Sequence, residues 1–137
     1  GWTAIFAPHA FTVGGEPEMR VLVVDDNMDT AESMALLVRG LGHEVDFAIS
    51  GRLALEVART FRPNIVFLDL GLPDVDGCEL ASQLRGEAQS PGARIIAVTG
   101  SGRLEDRERA LRSGCDDYVV KPLDAKFLTS LLGNRLV

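Results

Sequence analysis

Five side chains in this sequence could act together on one small charged group. They are the adjacent carboxylates Asp25 and Asp26, the carboxylate of Asp69, the hydroxyl of Thr99 and the ammonium of Lys121. Carboxylates crowded near a core repel one another and are costly when left unpaired. A hard divalent cation removes that cost. Mg2+, or Mn2+ in its place, takes oxygen ligands in an octahedron, from one or two carboxylates with carbonyl, water or phosphate oxygens completing the set. Lys121 adds a compact positive charge on a flexible stem, suited to a single phosphate or carboxylate oxygen. Thr99 offers a hydroxyl that can donate to a phosphoryl oxygen. Together these groups make a cradle for a phosphoryl group on Asp69, an aspartyl phosphate being a form of covalent catalysis. Metal and lysine would stabilise the charge on the transferring group.

Taken singly, each of these residues has an ordinary role open to it. An acidic pair after a strand often belongs to a helix start, and Asn27 or Asp29 could cap the first helix. Asp69 could be a turn residue, and Lys121-Pro122 a solvated turn. Their weight comes from where the elements put them.

From Arg20 onward the chain alternates strand and helix patterns. "RVLVVDD" reads as a strand buried on both faces, ending in Asp25 and Asp26. "DTAESMALLVRGLG" carries Ala31, Met34, Ala35, Leu37, Val38 and Leu41 at helical spacing, with Gly42 as its stop. "EVDFA" is the second strand, and "GRLALEVARTF" sets Leu53, Ala54, Val57, Ala58 and Phe61 on one helical face. "IVFLD" is the third strand and delivers Asp69. A third helix runs from about Cys78 to Arg85, closed by Gly86. "ARIIAVT" ends at Thr99, and "LEDRERALRSG" is a polar fourth helix anchored only by Leu104, Ala110 and Leu111. "DYVV" ends just before Lys121, and "DAKFLTSLLGNRL" turns Phe127, Leu128, Leu131 and Leu132 inward.

Repeats of this length imply right-handed crossovers and a parallel sheet covered on both faces, a doubly wound α/β domain of five strands and five helices. In such folds ligands bind beyond the carboxyl ends of the strands, where the strand order reverses. Asp25, Asp26, Asp69, Thr99 and Lys121 all fall at that end.

Composition sets the limits. At 137 residues the chain fits one domain with a single sizeable core. Residues 1–18 do not share the later rhythm; their Gly-Gly-Glu-Pro-Glu run reads as a linker, leaving 19–137 as the domain. A net charge of −6 without a basic stripe argues against direct nucleic-acid binding. No apolar run reaches the roughly 18 residues of a membrane span, so no membrane insertion of this segment is expected. Cys78 and Cys115, without CxxC spacing, read as reduced thiols in a cytoplasmic setting.

"VLVVDDN", "FLDLGLPDVDG", "AVTG" and "DYVVKPLD" resemble, in order and spacing, the receiver domains of two-component signalling. The likeness covers about residues 20–136. It implies the flavodoxin-like strand order 2-1-3-4-5. It further implies Asp69 as phosphoacceptor, Asp26 as a direct Mg2+ ligand, Asp25 as a ligand through water or directly, and the Gly71 backbone carbonyl as another. Thr99 would be the switch hydroxyl, Tyr118 the switch aromatic and Lys121 the phosphate-contacting lysine, with Lys121-Pro122 joined by a cis bond. The partners implied are a sensor histidine kinase or a histidine phosphotransfer protein. Self-phosphorylation and autodephosphorylation are the activities implied. Within the family the chain looks most like the receiver at the C-terminal end of a hybrid sensor histidine kinase, with a stand-alone regulator as the alternative.

This sequence departs from the commonest pattern at Gly71, Gly100 and Ser101. Gly71 leaves no side chain beside the attacking water, and the Gly-Ser-Gly run loosens the loop after the fourth strand. Two other functions fit less well. A phosphohydrolase of the haloacid-dehalogenase type needs a second acid two residues after its nucleophile, where this chain has Gly71. A receiver-like binding module without phosphorylation would not need the full residue set present here.

Overall fold

The computed structural model describes residues 18–86 and 92–133. The proposed tail, apart from Glu18, lies outside the described residues. The strands are β1 (Arg20–Val24), β2 (Glu44–Ala48), β3 (Ile65–Asp69), β4 (Arg94–Thr99) and β5 (Asp117–Val120). The helices are α1 (Met28–Gly40), α2 (Gly51–Phe61), α3 (Gly77–Arg85), α4 (Leu104–Arg112) and α5 (Ala125–Leu132). All pairings are parallel and the order is β2-β1-β3-β4-β5, as the resemblance implied.

Side-chain alternation along the central strands divides the core in two. Leu22, Val24, Val66, Leu68, Ile95 and Ala97 face α2, α3 and the Ala110 side of α4. Val21, Val23, Ile65, Phe67, Ile96 and Val98 face α1 and α5. Asp25 and Asp69 continue the parity of Val23 and Phe67, so they emerge on the α1–α5 side. The register sets Asp69 opposite Val98 and Thr99 opposite Val120, which brings the ends of β3, β4 and β5 level.

Short polar side chains fix most helix starts by accepting orphan N–H groups. Asn27, rather than Asp29, caps α1 by accepting from Thr30. Ser50 accepts from Leu53, Asp76 from Cys78 and Asp124 from Phe127. α4 differs: Arg103 stands at its N-cap without a side-chain cap.

Several sequence expectations shift. β1 ends at Val24, although the Asp25 N–H still reaches the Ala48 carbonyl at 3.1 Å. Leu37 is 36% exposed because the buried stripe of α1 runs through Ala31, Met34, Ala35 and Val38, and Leu37 lies beside it. Leu104 and Leu111, expected as anchors of α4, point outward at 66% and 40% exposure; Ala110 alone of that helix is buried. His43 is buried, a position that no pattern in the sequence marks. Its Nδ1 accepts from the Met19 N–H, and its Nε2 lies 3.1 Å from the Leu132 carbonyl, tying β1's entry to the end of α5.

Candidate functional site

Asp25, Asp26 and Asp69 converge at the carboxyl ends of β1 and β3. One oxygen from each lies within 4.8 Å of the other two, which makes the trio a group able to hold a metal ion. Asp25 is 3% exposed and Asp69 8%, whereas Asp26 faces solvent. Lys121 comes to them from the end of β5: its Nζ donates to Asp69 Oδ2 at 3.1 Å and to Asp25 Oδ2 at 3.3 Å. The lysine follows β5 because its own N–H donates to the Thr99 carbonyl at 2.7 Å, and the Lys121-Pro122 bond after it is cis.

The charges here shape one another. Burial pushes the Asp25 carboxyl above its ordinary range; the Asn27 N–H pulls it back, and the neighbouring Asp69 charge pushes it up again. For Lys121, burial pulls downward, but the bond to Asp69 and the charges of Asp69 and Asp25 outweigh it and hold the ammonium above the usual lysine value. A lysine caught between two nearly buried carboxylates does part of what a dication would do. One ammonium against three carboxylates leaves the cluster net negative, and an all-oxygen, carboxylate-rich donor set suits a hard divalent cation.

Of the other predicted residues, Gly71 touches this cluster, while Thr99 and Tyr118 lie on the neighbouring strands, Tyr118 against the core on the other face of the sheet. Gly71 is exposed and its N–H donates to Asp69 Oδ1 at 2.8 Å, which orients the carboxylate. A Cβ added at Gly71 would stand 3.4 Å from that same oxygen. Thr99 lies at the end of the adjacent strand, but its Oγ1 accepts the Ser101 N–H at 3.1 Å, so the hydroxyl is held by its own loop. The Tyr118 hydroxyl donates to the Ser101 carbonyl, and its ring packs against the core. A cleft of about 210 Å3 opens beside Asp25, Asp69 and Lys121 and runs down between Met34 of α1 and Leu123. Neither of those apolar wall residues carried a polar signature that could have marked it in the sequence.

The chain matches the family described as "Response regulator receiver domain" over residues 21–132. It belongs to the response regulator receiver family. A curated relative, the probable transcriptional regulatory protein TcrX of Mycobacterium tuberculosis, is 40% identical over 79% of this chain and 45% of its own length. The chain thus spans about half the length of the curated relatives it matches first. Among solved structures, a response regulator of Burkholderia pseudomallei with a phosphorylated aspartic acid, calcium ion and citrate superposes with TM-score 0.76 at 28% identity, over 84% of this chain and 66% of that one. The Saccharomyces cerevisiae Ssk1 receiver domain, solved with the phosphotransfer protein Ypd1, gives TM-score 0.75 at 29% identity, over 85% of this chain and 88% of that one. Membership of the receiver family gives this chain its general role: an aspartate that takes a phosphoryl group within two-component signalling. No helix among the described residues is long and apolar enough to cross a membrane.

Proposed function

We propose that Asp69 is the phosphoacceptor and that Asp25, Asp26, the Gly71 carbonyl and Asp69 together hold a Mg2+ ion. The observation that carries this reading is the Lys121 ammonium held at once by Asp69 and Asp25, with Asp26 at the open side of the same cluster. Bound there, the dication would neutralise oxygens of the incoming phosphoryl group and the carboxylates around it.

The chain's own groups would then divide the work. The Gly71 N–H fixes one Asp69 oxygen and leaves the other, Oδ2, as the nucleophile. Attack forms the Asp69 O–P bond while the N–P bond of a phosphohistidine breaks. The electron pair and a proton go to the departing imidazole. Lys121 shifts from bridging carboxylates to contacting a phosphoryl oxygen, and Thr99 turns its hydroxyl to another. The donor would be a sensor histidine kinase or a histidine phosphotransfer protein; the Ssk1 receiver solved with Ypd1 supports a partner of that class.

The setting proposed is the cytoplasm, consistent with two free buried thiols at Cys78 and Cys115. Burial and the nearby Cys78 push the Cys115 thiol up to about 12, which keeps it unreactive. Residues 19–137 would form the receiver domain and 1–18 a linker. Attachment to a hybrid sensor kinase is one proposed context. A second, favoured by the transcriptional naming of TcrX, couples the receiver to a transcription-regulating output.

The test is the mass of the intact protein after incubation with a small phosphodonor and Mg2+. The wild type should gain one phosphoryl group and Asp69→Asn none. An undiminished gain in Asp69→Asn would reject the assignment.

A further inference from the structure

Ser101 stands where three parts of the molecule meet. Its backbone N–H donates to Thr99 Oγ1 at 3.1 Å. Its own hydroxyl donates to Asp106 Oδ2 at 2.7 Å and accepts the Arg103 N–H at 3.3 Å. Its carbonyl accepts the Tyr118 hydroxyl. One residue therefore touches the hydroxyl at the end of β4, the first turn of α4 and the aromatic ring of β5.

α4 has little else to fix its position. Ala110 is its one buried residue, and its N-cap residue supplies no side-chain cap. Arg109 pairs with Asp76, but those side chains are 57% and 40% exposed, and such a pair holds weakly. The Ser101 hydroxyl acts on a carboxylate, and charge-assisted bonds of that kind are about twice as strong as neutral ones. Asp106 also sits in the first turn, where the helix dipole favours its charge. On either side of Ser101 there is room for movement. A Cβ at Gly100 would meet nothing within 4 Å, and one at Gly102 only Val120 Cγ2 at 3.9 Å.

We propose that Ser101 is a positioning residue that couples the Thr99 hydroxyl to α4 through Asp106. The proposal rests on the reading that Thr99 turns toward a phosphoryl group on Asp69. In the structure described here, Thr99 Oγ1 holds the Ser101 N–H. Turning the hydroxyl away releases that donor, and the segment 100–102 must settle into a new arrangement. The Ser101–Asp106 bond carries the change into the first turn of α4. The Ser101 carbonyl carries it to Tyr118. Coupling then runs through one short polar relay rather than through apolar packing, which α4 largely lacks.

The experiment compares hydrogen exchange of α4 amides, residues 107–112, with and without Mg2+ and beryllium fluoride as phosphoryl mimic. In the wild type the mimic should change those rates about tenfold, in the usual range for coupled sites. In Ser101→Ala and Asp106→Ala the change should fall below about twofold, while Asp106→Ala still gains a phosphoryl group from a small donor. Asp106→Asn, whose amide oxygen accepts the same hydroxyl, should retain the wild-type response. The double variant should lose no more than either single one. A purely structural role would speed exchange equally with and without the mimic. A wild-type-sized response in Ser101→Ala or Asp106→Ala would overturn the proposal, as would an unresponsive α4 in a wild type that does take the phosphoryl group. Failure of the wild type to be phosphorylated at all would instead reject the site reading beneath it.

Discussion

Asp25 and Asp26 are neighbours in sequence with opposite surroundings. Asp25 is buried, bonded to Lys121 and to the Asn27 N–H, so its position is fixed by the fold. Asp26 is exposed and lies within reach of the other two carboxylates, so it can turn to a cation without breaking a buried contact. Asp26→Ala should therefore weaken Mg2+ binding by about tenfold or more in a calorimetric titration. Thermal stability of the metal-free protein should change by no more than about 0.5 kcal/mol. An unchanged titration would remove Asp26 from the ligand set. Gly71 invites a second substitution. Because a side chain there would start 3.4 Å from Asp69 Oδ1, Gly71→Leu should screen the acceptor from water and slow phosphoryl loss several-fold. A faster loss would show that water approaches from another side. At this scale the sequence was informative wherever chemistry demands a residue type: the carboxylates and Lys121 meet as their types and strand-end positions suggested. Thr99 stands at the end of β4 where its strand pattern put it, but its bond to Ser101 was not legible, since a backbone N–H leaves no trace in residue identity.

Elements position these residues through close approaches that only certain side chains permit. α3 begins directly against the loop that follows Asp69. A Cβ on Gly77 would fall 2.5 Å from Leu70 Cα and 3.0 Å from the Leu70 carbonyl oxygen, both backbone atoms that cannot step aside alone. Gly77→Ala should cost about 1–3 kcal/mol by overpacking and should also disturb Gly71, one residue beyond. Urea unfolding with a parallel Mg2+ titration would check both effects. Normal stability with normal metal affinity would mean the loop yields more easily than its packing implies. The strands were legible because β-branched runs such as "RVLVV" and "IVFLD" have one plausible use. α1, α2 and α5 were legible from their apolar spacing. α4 was only half legible: its existence followed from the pattern, but Leu104 and Leu111 face outward, Ala110 alone meets the core, and the Ser101–Asp106 bond that holds its first turn leaves no apolar signature. Asp74 and Asp76 gave no warning of their tasks either. Asp74 accepts from the Gly51 and Arg52 N–H groups and so clips the loop after β3 onto α2.

Across the whole molecule, carboxylates give stability a dependence on pH. The Gly51 N–H holds Asp74 below the ordinary value of 3.8, and the Cys78 N–H, with Arg109, does the same for Asp76. Depressed carboxyl groups stabilise the fold above their unfolded-state value, and that support is lost as pH falls through the lowered range. The melting temperature should accordingly drop as pH is taken below about 4. The drop should be shallower in Asp74→Asn with Asp76→Asn. An identical acid profile in that double variant would assign acid sensitivity elsewhere. The two-sided core of an open parallel sheet leaves one rim where β1, β3, β4 and β5 end together, and the fold gathers the charged residues there. That rim was readable before any coordinates, because doubly wound sheets have one such place.

The most direct check is to find which atom carries the phosphoryl group. The wild-type protein, treated with Mg2+ and a small phosphodonor, would be cleaved and its peptides mapped by mass spectrometry with and without hydroxylamine, which cleaves acyl phosphates but spares phosphate esters of hydroxyls. The expected result is a Mg2+-dependent, hydroxylamine-sensitive phosphoryl group on the peptide containing Asp69. A stable phosphoryl group on Thr99 or Ser101, or labelling of Asp69 that ignores the metal, would contradict the account.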